Sequence, residues 1–415
     1  MLAPERRRRS DLVAAAVILV VAVVALGVVW LRSDAHGTTY SPAASPLPQA
    51  DTATSVPTSL NEVWRASSPV TRSPAVTGSA VVTGDGGTVR GLDPATGSVA
   101  WSYSRDRDLC SVTDAWNTAV AVFSDDRGCS QVTELDGATG NRKAQRTSDA
   151  DDAVHTSDDG TYLTARGDTR MEVWRSDLVR TLEYGRVDAP VNPNSQPRTG
   201  CTLLSSASNS SRVAVLERCP GESAARLTML APAPKDAQQP EVYGSSVVAA
   251  LEGPSGAFDG ATVLVASGDR VALAIPTTAG IPARVGIYDG NAQPLSEFEL
   301  PDAVAGTGPF PDTEPVKAAS VFAWWTGTAT VALNLGDLSP AWSLPSALGP
   351  GAVMAGRLLV PVPDGIAVID PATGSIDDTV AVDRAGYTGP IGTAVVGDVV
   401  LEQRQDTVVA LAAGS

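Results

Sequence analysis

Hydrophobic positions are distributed along this chain in two unlike ways. Positions 12–31, LVAAAVILVVAVVALGVVWL, run twenty residues without a charge, a length that as a helix spans about 30 Å, the thickness of a bilayer core. From Leu60 onward, apolar residues come instead in short runs such as Ile366-Ala367-Val368-Ile369, each bounded by Gly, Pro, Asp or Asn. Runs that short, rich in β-branched residues and apolar on both faces, predict strands sandwiched between neighbouring layers. The pattern therefore predicts one membrane helix followed by an all-β domain.

The short runs repeat. A run, a turn and a second run recur as TVRGLDPATGSVAWSY (88–103), QVTELDGATGNRKAQ (131–145), MEVWRSDLVRTLEY (171–184), RLTMLAPAPKDAQQPEVY (226–243), RVGIYDGNAQPLSEFEL (284–300), TVALNLGDLSPAWSL (330–344), IAVIDPATGSIDDTV (366–380) and TVVALAAGS (407–415). With Leu92, Leu135, Trp174, Leu230, Tyr288, Leu333, Ile369 and Leu411 as markers, the steps run from 36 to 58 residues and average close to 46. That period, with four strands per unit, predicts an eight-bladed β-propeller over residues 61–415. In the turn, Asp93-Pro94 fixes the lead-in, Thr96 hydrogen-bonds locally and Gly97 supplies a positive φ. Gly84-Asp85-Gly86-Gly87 and Pro363-Asp364-Gly365 read as the preceding hairpins, and no helix with Lys-Ser/Thr follows the first to make it a phosphate loop.

The eighth phrase lacks an outermost strand, whereas Asn61-Glu62-Val63-Trp64-Arg65 looks like an outer strand with no inner ones. The expectation is that Val63 and Trp64 pair with Val408 to Leu411, closing the ring and removing an open edge.

The strand, the DxxTG turn and the following Trp resemble the pyrroloquinoline quinone (PQQ)-type repeats of bacterial quinoprotein-like eight-bladed propellers. The matching residues are Asp93, Thr96, Gly97 and Trp101, then Asp136, Thr139 and Gly140, then Asp370, Thr373 and Gly374. That family includes cofactor-using dehydrogenases and a non-catalytic lipoprotein scaffold of outer-membrane assembly, so the resemblance implies the fold and leaves the function open.

Arg6 to Arg9 precede the apolar run, which places residues 1–11 in the cytoplasm as a basic tail and everything beyond Arg32 outside the cell membrane. A cleaved signal peptide is the competing reading, with Ser33-Asp34-Ala35 as its small residues, but the apolar run exceeds a usual signal core. Residues 32–60, rich in Ser, Thr, Pro and Ala, read as a disordered tether. The chain carries a net charge of −16 although five of its Arg lie in the first 35 residues. An ectodomain this acidic repels nucleic acid, so no nucleic-acid partner is expected.

Cys110 with Cys129, and Cys201 with Cys219, are spaced 19 and 18 apart in the second and fourth repeats. In each pair the two positions fall at the same end of a blade, which predicts two local disulfides, each stabilising by ~3 kcal/mol. Neither pair has the CxxC spacing of a redox or zinc motif, and no His cluster lies near them.

Only His36 and His155 are present, which removes most His-based catalytic and metal arrangements. His155 lies in SDADDAVHTSDDG, whose spacing departs from a calcium loop and predicts a strand and an Asp-Asp-Gly hairpin. Trp101, Trp324 and Trp325 could form a stacking platform, but read as packing between blades. No Cys-Cys dipeptide or PQQ ligand is identifiable, so no catalytic residue, metal site or cofactor is expected, with PQQ and calcium unsupported by ligands. Two functions remain: a non-catalytic scaffold presenting its loops to envelope proteins or a wall component, and a PQQ- or small-ligand-dependent oxidoreductase using the central funnel. The missing catalytic set favours the scaffold. On the expected topology, protease added to intact spheroplasts degrades the chain beyond Ser33, and full protection of the propeller overturns that topology.

Overall fold

The structure, a computed structural model, describes residues 8–31, 33, 36–188, 193–253, 260–277, 281–306 and 309–414. Arg6, Arg7, Arg32 and the Asp34-Ala35 pair of the cleavage-like tripeptide lie outside them. The apolar run is a helix over Arg9–Leu31. It begins three residues before the charge-free stretch because the Asp11 carboxylate accepts the Arg8 backbone N–H at 2.8 Å, satisfying one of the orphan donors of a first turn. The helix buries no residue against the rest of the chain and is long and apolar enough to cross a membrane.

Among the described residues, the strands form eight antiparallel sheets, each the blade of a propeller. Blades 1 to 7 span 75–105, 109–147, 155–185, 202–252, 262–299, 316–345 and 352–381, and blade 8 takes its three inner strands from 391–412. Each of the eight sequence markers falls on the third strand of a different blade. The irregular steps come from the connections, longest around blades 4 and 5, and not from loss of a blade. Apolar faces meet between adjacent blades, as where Leu216, Leu227 and Met229 of blade 4 pack on Val263 and Leu273 of blade 5. Inner strands are also tied by hydroxyl pairs, Ser111 to Thr156 at 2.8 Å and Ser205 to Thr262 at 2.9 Å.

Blade 8 is completed by Asn61–Ser67, which runs antiparallel to Thr407–Ala412 with Glu62 opposite Leu411 and Ala66 opposite Val408. Val63 sits at a bulge between Glu62 and Trp64 and faces solvent, so it contributes no packing to the seam. Trp64 is half-buried and crosses to blade 1, donating its indole N–H to the Pro94 carbonyl at 2.9 Å.

That contact explains the repeated turn. Asp93 Oδ1 accepts the N–H groups of Ala95 and Thr96 and the Thr96 hydroxyl at 2.9–3.0 Å, and Gly97 has φ +69°. A Cβ on Gly97 would lie 2.6 Å from the Trp64 ring. The indole therefore rests on a surface that only glycine leaves open. Trp101 of blade 1 rests in the same way on Gly140 and donates to the Gly137 carbonyl, beside a turn where Asp136 holds Thr139. Trp342 of blade 6 rests on Gly374 and donates to the Pro371 carbonyl, beside Asp370 and Thr373. Each DxxTG turn is thus the landing surface for the outer-strand Trp of the preceding blade.

The segment read as a disordered tether is ordered from Thr38 onward. Thr38–Ser41 forms a fifth strand on the outer edge of blade 1, with Thr38 opposite Arg105 and Ser41 opposite Ser102. The chain then crosses one face of the ring: Ala43 and Leu47 donate to the carbonyls of Thr139 and Ala138 in blade 2, and Ala50 to that of Gly78 in blade 1. Ala53 and Leu60 are buried among Met354, Val368 and Val400 of blades 7 and 8. The composition of 32–60 precludes a core of its own, but a segment that borrows a sheet edge and exposed carbonyls needs none.

A chain beginning at Ala66 leaves Thr407–Ala412 an open edge and empties the Trp64 site. We expect it to be less stable by about 3 kcal/mol or more in urea unfolding, or to aggregate, relative to a chain beginning at Leu60. Equal midpoints in the two would mean that the N-terminal strand does not close the ring.

Candidate functional site in the central channel

The first strands of the blades converge on the ring axis, so their side chains face a common channel. The connection from blade 5 to blade 6 does not stay on the rim. After Glu299 it makes a short helix, Asp302–Ala305, and its last residues, 312–315, enter the channel before blade 6 begins at Val316. There Asp312 meets groups from across the ring: Arg72 before blade 1 at 3.2 Å, and His155 Nδ1 and Arg166 of blade 3 at 3.1 and 3.4 Å. His155 Nε2 lies 3.7 Å from Glu314. The connection divides the channel into two cavities, both bordered by His155 and 312–315. One, of about 390 Å³, lies toward blades 1, 2 and 8, and the other, of about 400 Å³, toward blades 4 and 5.

The charges in this space are set by enclosure. Burial in the channel pushes the Asp312 carboxyl up, but the hydrogen bond and charge of His155, with Arg166 and Arg72 beside it, outweigh burial and hold it well below the usual carboxylate range. Burial pushes His155 down, but Asp312 and Glu314 outweigh it and raise its pKa. Among the described residues, Asp114, on the first strand of blade 2, has no cationic partner of this kind. Its burial, with the nearby Glu314 charge, pushes it up to about 6. Asp158 is open to channel water yet walled in by protein, and desolvation together with the charges of Asp159, Asp114 and Glu314 pushes it up to about 7.

His155 does begin a strand that leads into an Asp158-Asp159-Gly160 turn. Its place in a charged network with Asp312 was not legible from that local pattern. Arg72, Asp312 and Glu314 were missed altogether. The available signal was the unusual length of the connection ending in Pro311-Asp312-Thr313-Glu314-Pro315, since long connections in compact folds often carry a site.

Apart from His155 and Trp325, the residues singled out from the sequence lie elsewhere. Cys110 joins Cys129 within blade 2 and Cys201 joins Cys219 within blade 4, with Cα–Cα distances of 6.0 and 4.1 Å. Glu217 lies close to the second bridge, but the two sulfurs are joined to each other. Its carboxylate accepts from Tyr184 and Thr228 at 2.9 and 2.5 Å, which makes the group a structural cluster. Trp101 and Trp324 are fully buried. Trp325 donates to the Ala347 carbonyl at 2.8 Å and presents an edge to the 390 Å³ cavity.

No family model matches the sequence, and no curated protein matches it. Solved structures do share its fold. BamB from Moraxella catarrhalis is 13% identical, over 85% of this chain and 99% of its own, with a TM-score of 0.50. A europium-containing methanol dehydrogenase is 11% identical, over 85% and 93%, at 0.51. Sqt1 from Saccharomyces cerevisiae is 9% identical, over 90% and 100%, at 0.52. At such identities the likeness shows the propeller fold alone.

The channel charges give a pH signature. His155, with its raised pKa, stabilises fully below its ordinary value near 6.5 and loses that contribution as pH rises through the raised one. Asp312, with its depressed pKa, contributes above its ordinary value of 3.8 and loses that as pH falls through the depressed one. Asp158 has the opposite sense: its raised pKa costs stability as pH climbs from 3.8 to about 7, because the unfolded chain ionises first. Asp158→Asn should therefore raise the melting temperature at about pH 8 and leave it unchanged below about pH 4. An equal shift at both pH values would show that Asp158 is not enclosed by the channel.

Proposed function

We propose that this protein is a membrane-tethered, extracytoplasmic propeller that acts as a non-catalytic interaction scaffold in the cell envelope. The observation that carries the reading is that the chain occupies its own channel. Residues 312–315 lie between the two cavities of the channel, pinned there by His155, Arg166 and Arg72. The cysteines lie in disulfides within blades 2 and 4, not at the channel. With no PQQ ligand recognisable in the sequence, this occupancy supports a scaffold over a PQQ enzyme. An apolar helix and two disulfides accord with a domain held outside the cytoplasm.

The second reading, a small-ligand enzyme, is favoured by one observation: Asp114, with its pKa near 6, and Trp325 both line the 390 Å³ cavity. A carboxyl poised near neutrality in a cavity is what proton-transfer chemistry uses.

The two readings are separated on the protein in its native envelope. Photocrosslinking from the connections between blades 3 and 6 should give discrete protein or wall adducts. Stoichiometric uptake of PQQ with calcium, accompanied by reduction of an artificial acceptor by alcohols or sugars, would overturn the scaffold.

A further inference from the structure

The fifth strand of blade 1 changes what the N-terminal segment can do. As a free tether, residues 32–60 would let the propeller wander about 100 Å from the bilayer. With Thr38 paired to Arg105, only six residues separate the helix end at Leu31 from the rim of blade 1. Six residues span at most about 20 Å. A propeller so held has one rim, that of blades 1 and 2, permanently beside the membrane.

That rim differs in charge from its surroundings. Between the fifth strand and the outer strand of blade 2 lies a groove of about 330 Å³, lined by Thr38 and Tyr40 of the leash together with Arg105, Arg142 and Arg146 and, among the described residues, by no carboxylate. The outer strand of blade 2, Arg142–Thr147, reads RKAQRT with three bases and no acid. The outer strands of blades 5 and 7 read PLSEFE and IDDTVA, each with two acids and no base. In a chain of net charge −16 this is a local reversal of sign. Much of it is answered within the fold, since Arg146 pairs with Glu172 at 2.8 Å, Lys143 with Glu134 at 3.2 Å, and Arg105 is engaged too, its guanidinium lying over the Phe123 ring at 5.3 Å. Arg142 stays exposed at the groove wall, and Tyr40 is 40% exposed beside it, hydrogen-bonded to Asn141. A basic, aromatic-flanked polar groove held at headgroup height matches the chemistry of lipid phosphates.

We propose that the rim of blades 1 and 2 is the membrane-facing surface of the propeller, and that its arginine-lined groove takes the phosphate headgroups of anionic lipids in the same bilayer. The ring then stands edge-on to the membrane, with both of its faces and its acidic far rim turned to the envelope. This rests on the membrane anchor proposed above.

The test uses the full chain in lipid nanodiscs. The four native cysteines are all in disulfides, so an added thiol takes label alone. A fluorophore at Gln145→Cys in the groove and one at Ser296→Cys on the outer strand of blade 5 are compared for quenching by headgroup nitroxide lipids. The expected result in discs containing phosphatidylglycerol is several-fold stronger quenching at 145 than at 296, with the contrast reduced at least twofold by Arg142→Glu, by high salt or by purely zwitterionic discs. Co-elution with the discs but equal quenching at the two positions overturns the orientation while leaving the anchor intact. A contrast indifferent to lipid charge, salt and Arg142→Glu overturns headgroup binding. Failure of the chain to co-elute refutes the anchor, and this proposal with it.

Discussion

Everything in this fold depends on one pairing between distant parts of the chain, Asn61–Ser67 against Thr407–Ala412. A blade buries its two faces only against its neighbours, so an unclosed ring leaves two apolar faces and an open strand edge in water. The tryptophan contacts follow the same logic: Trp101 locks blade 1 to blade 2, Trp342 locks blade 6 to blade 7, and Trp64 locks blade 8 to blade 1 across the closure. The closing strand therefore does two jobs, completing a sheet and supplying the indole that the first turn is shaped to receive.

Closure by the N-terminal strand dictates where the preceding chain goes. From the apolar helix the segment reaches the outer edge of blade 8 by pairing along the edge of blade 1 and crossing the turns of blades 2, 1 and 8. The strap buries little, only Ala53 and Leu60 deeply, yet it fixes the rim from which the leash departs. The distance between the apolar helix and the propeller is thus a consequence of how the ring is closed.

The parts legible in the sequence were those written in local chemistry. Asp93, Thr96 and Gly97, and their counterparts at 136–140 and 370–374, build their turns from hydrogen bonds within five residues, so they repeat wherever the blade repeats. The eight markers were readable because neighbouring blades bury both faces of each blade's third strand, which makes it a continuous apolar run. What was not readable came from encounters between remote segments. The fifth strand over Thr38–Ser41 has no large apolar residue beyond Tyr40 and is specified by the edge it meets. Val63 faces outward because of a bulge that no pattern of its own predicts. The Asp312 network joins residues 240 and 157 positions apart, and neither partner carries a motif.

The same distinction bears on function. Residues that identify the repeat sit at turns and seams, where they serve the fold in any propeller of this kind, and so they carry no information about what the protein binds. The distinguishing features are the ones the repeat does not require: a connection folded into the channel, a strap across one face and a reversal of charge on one rim. The strap covers turns on blades 1, 2 and 8 and packs into the seam of blades 7 and 8, while the corresponding turns of blades 3 to 6 lie beyond its path. The propeller is asymmetric as a result, with one side of the ring covered by its own N-terminal segment and the other side left open.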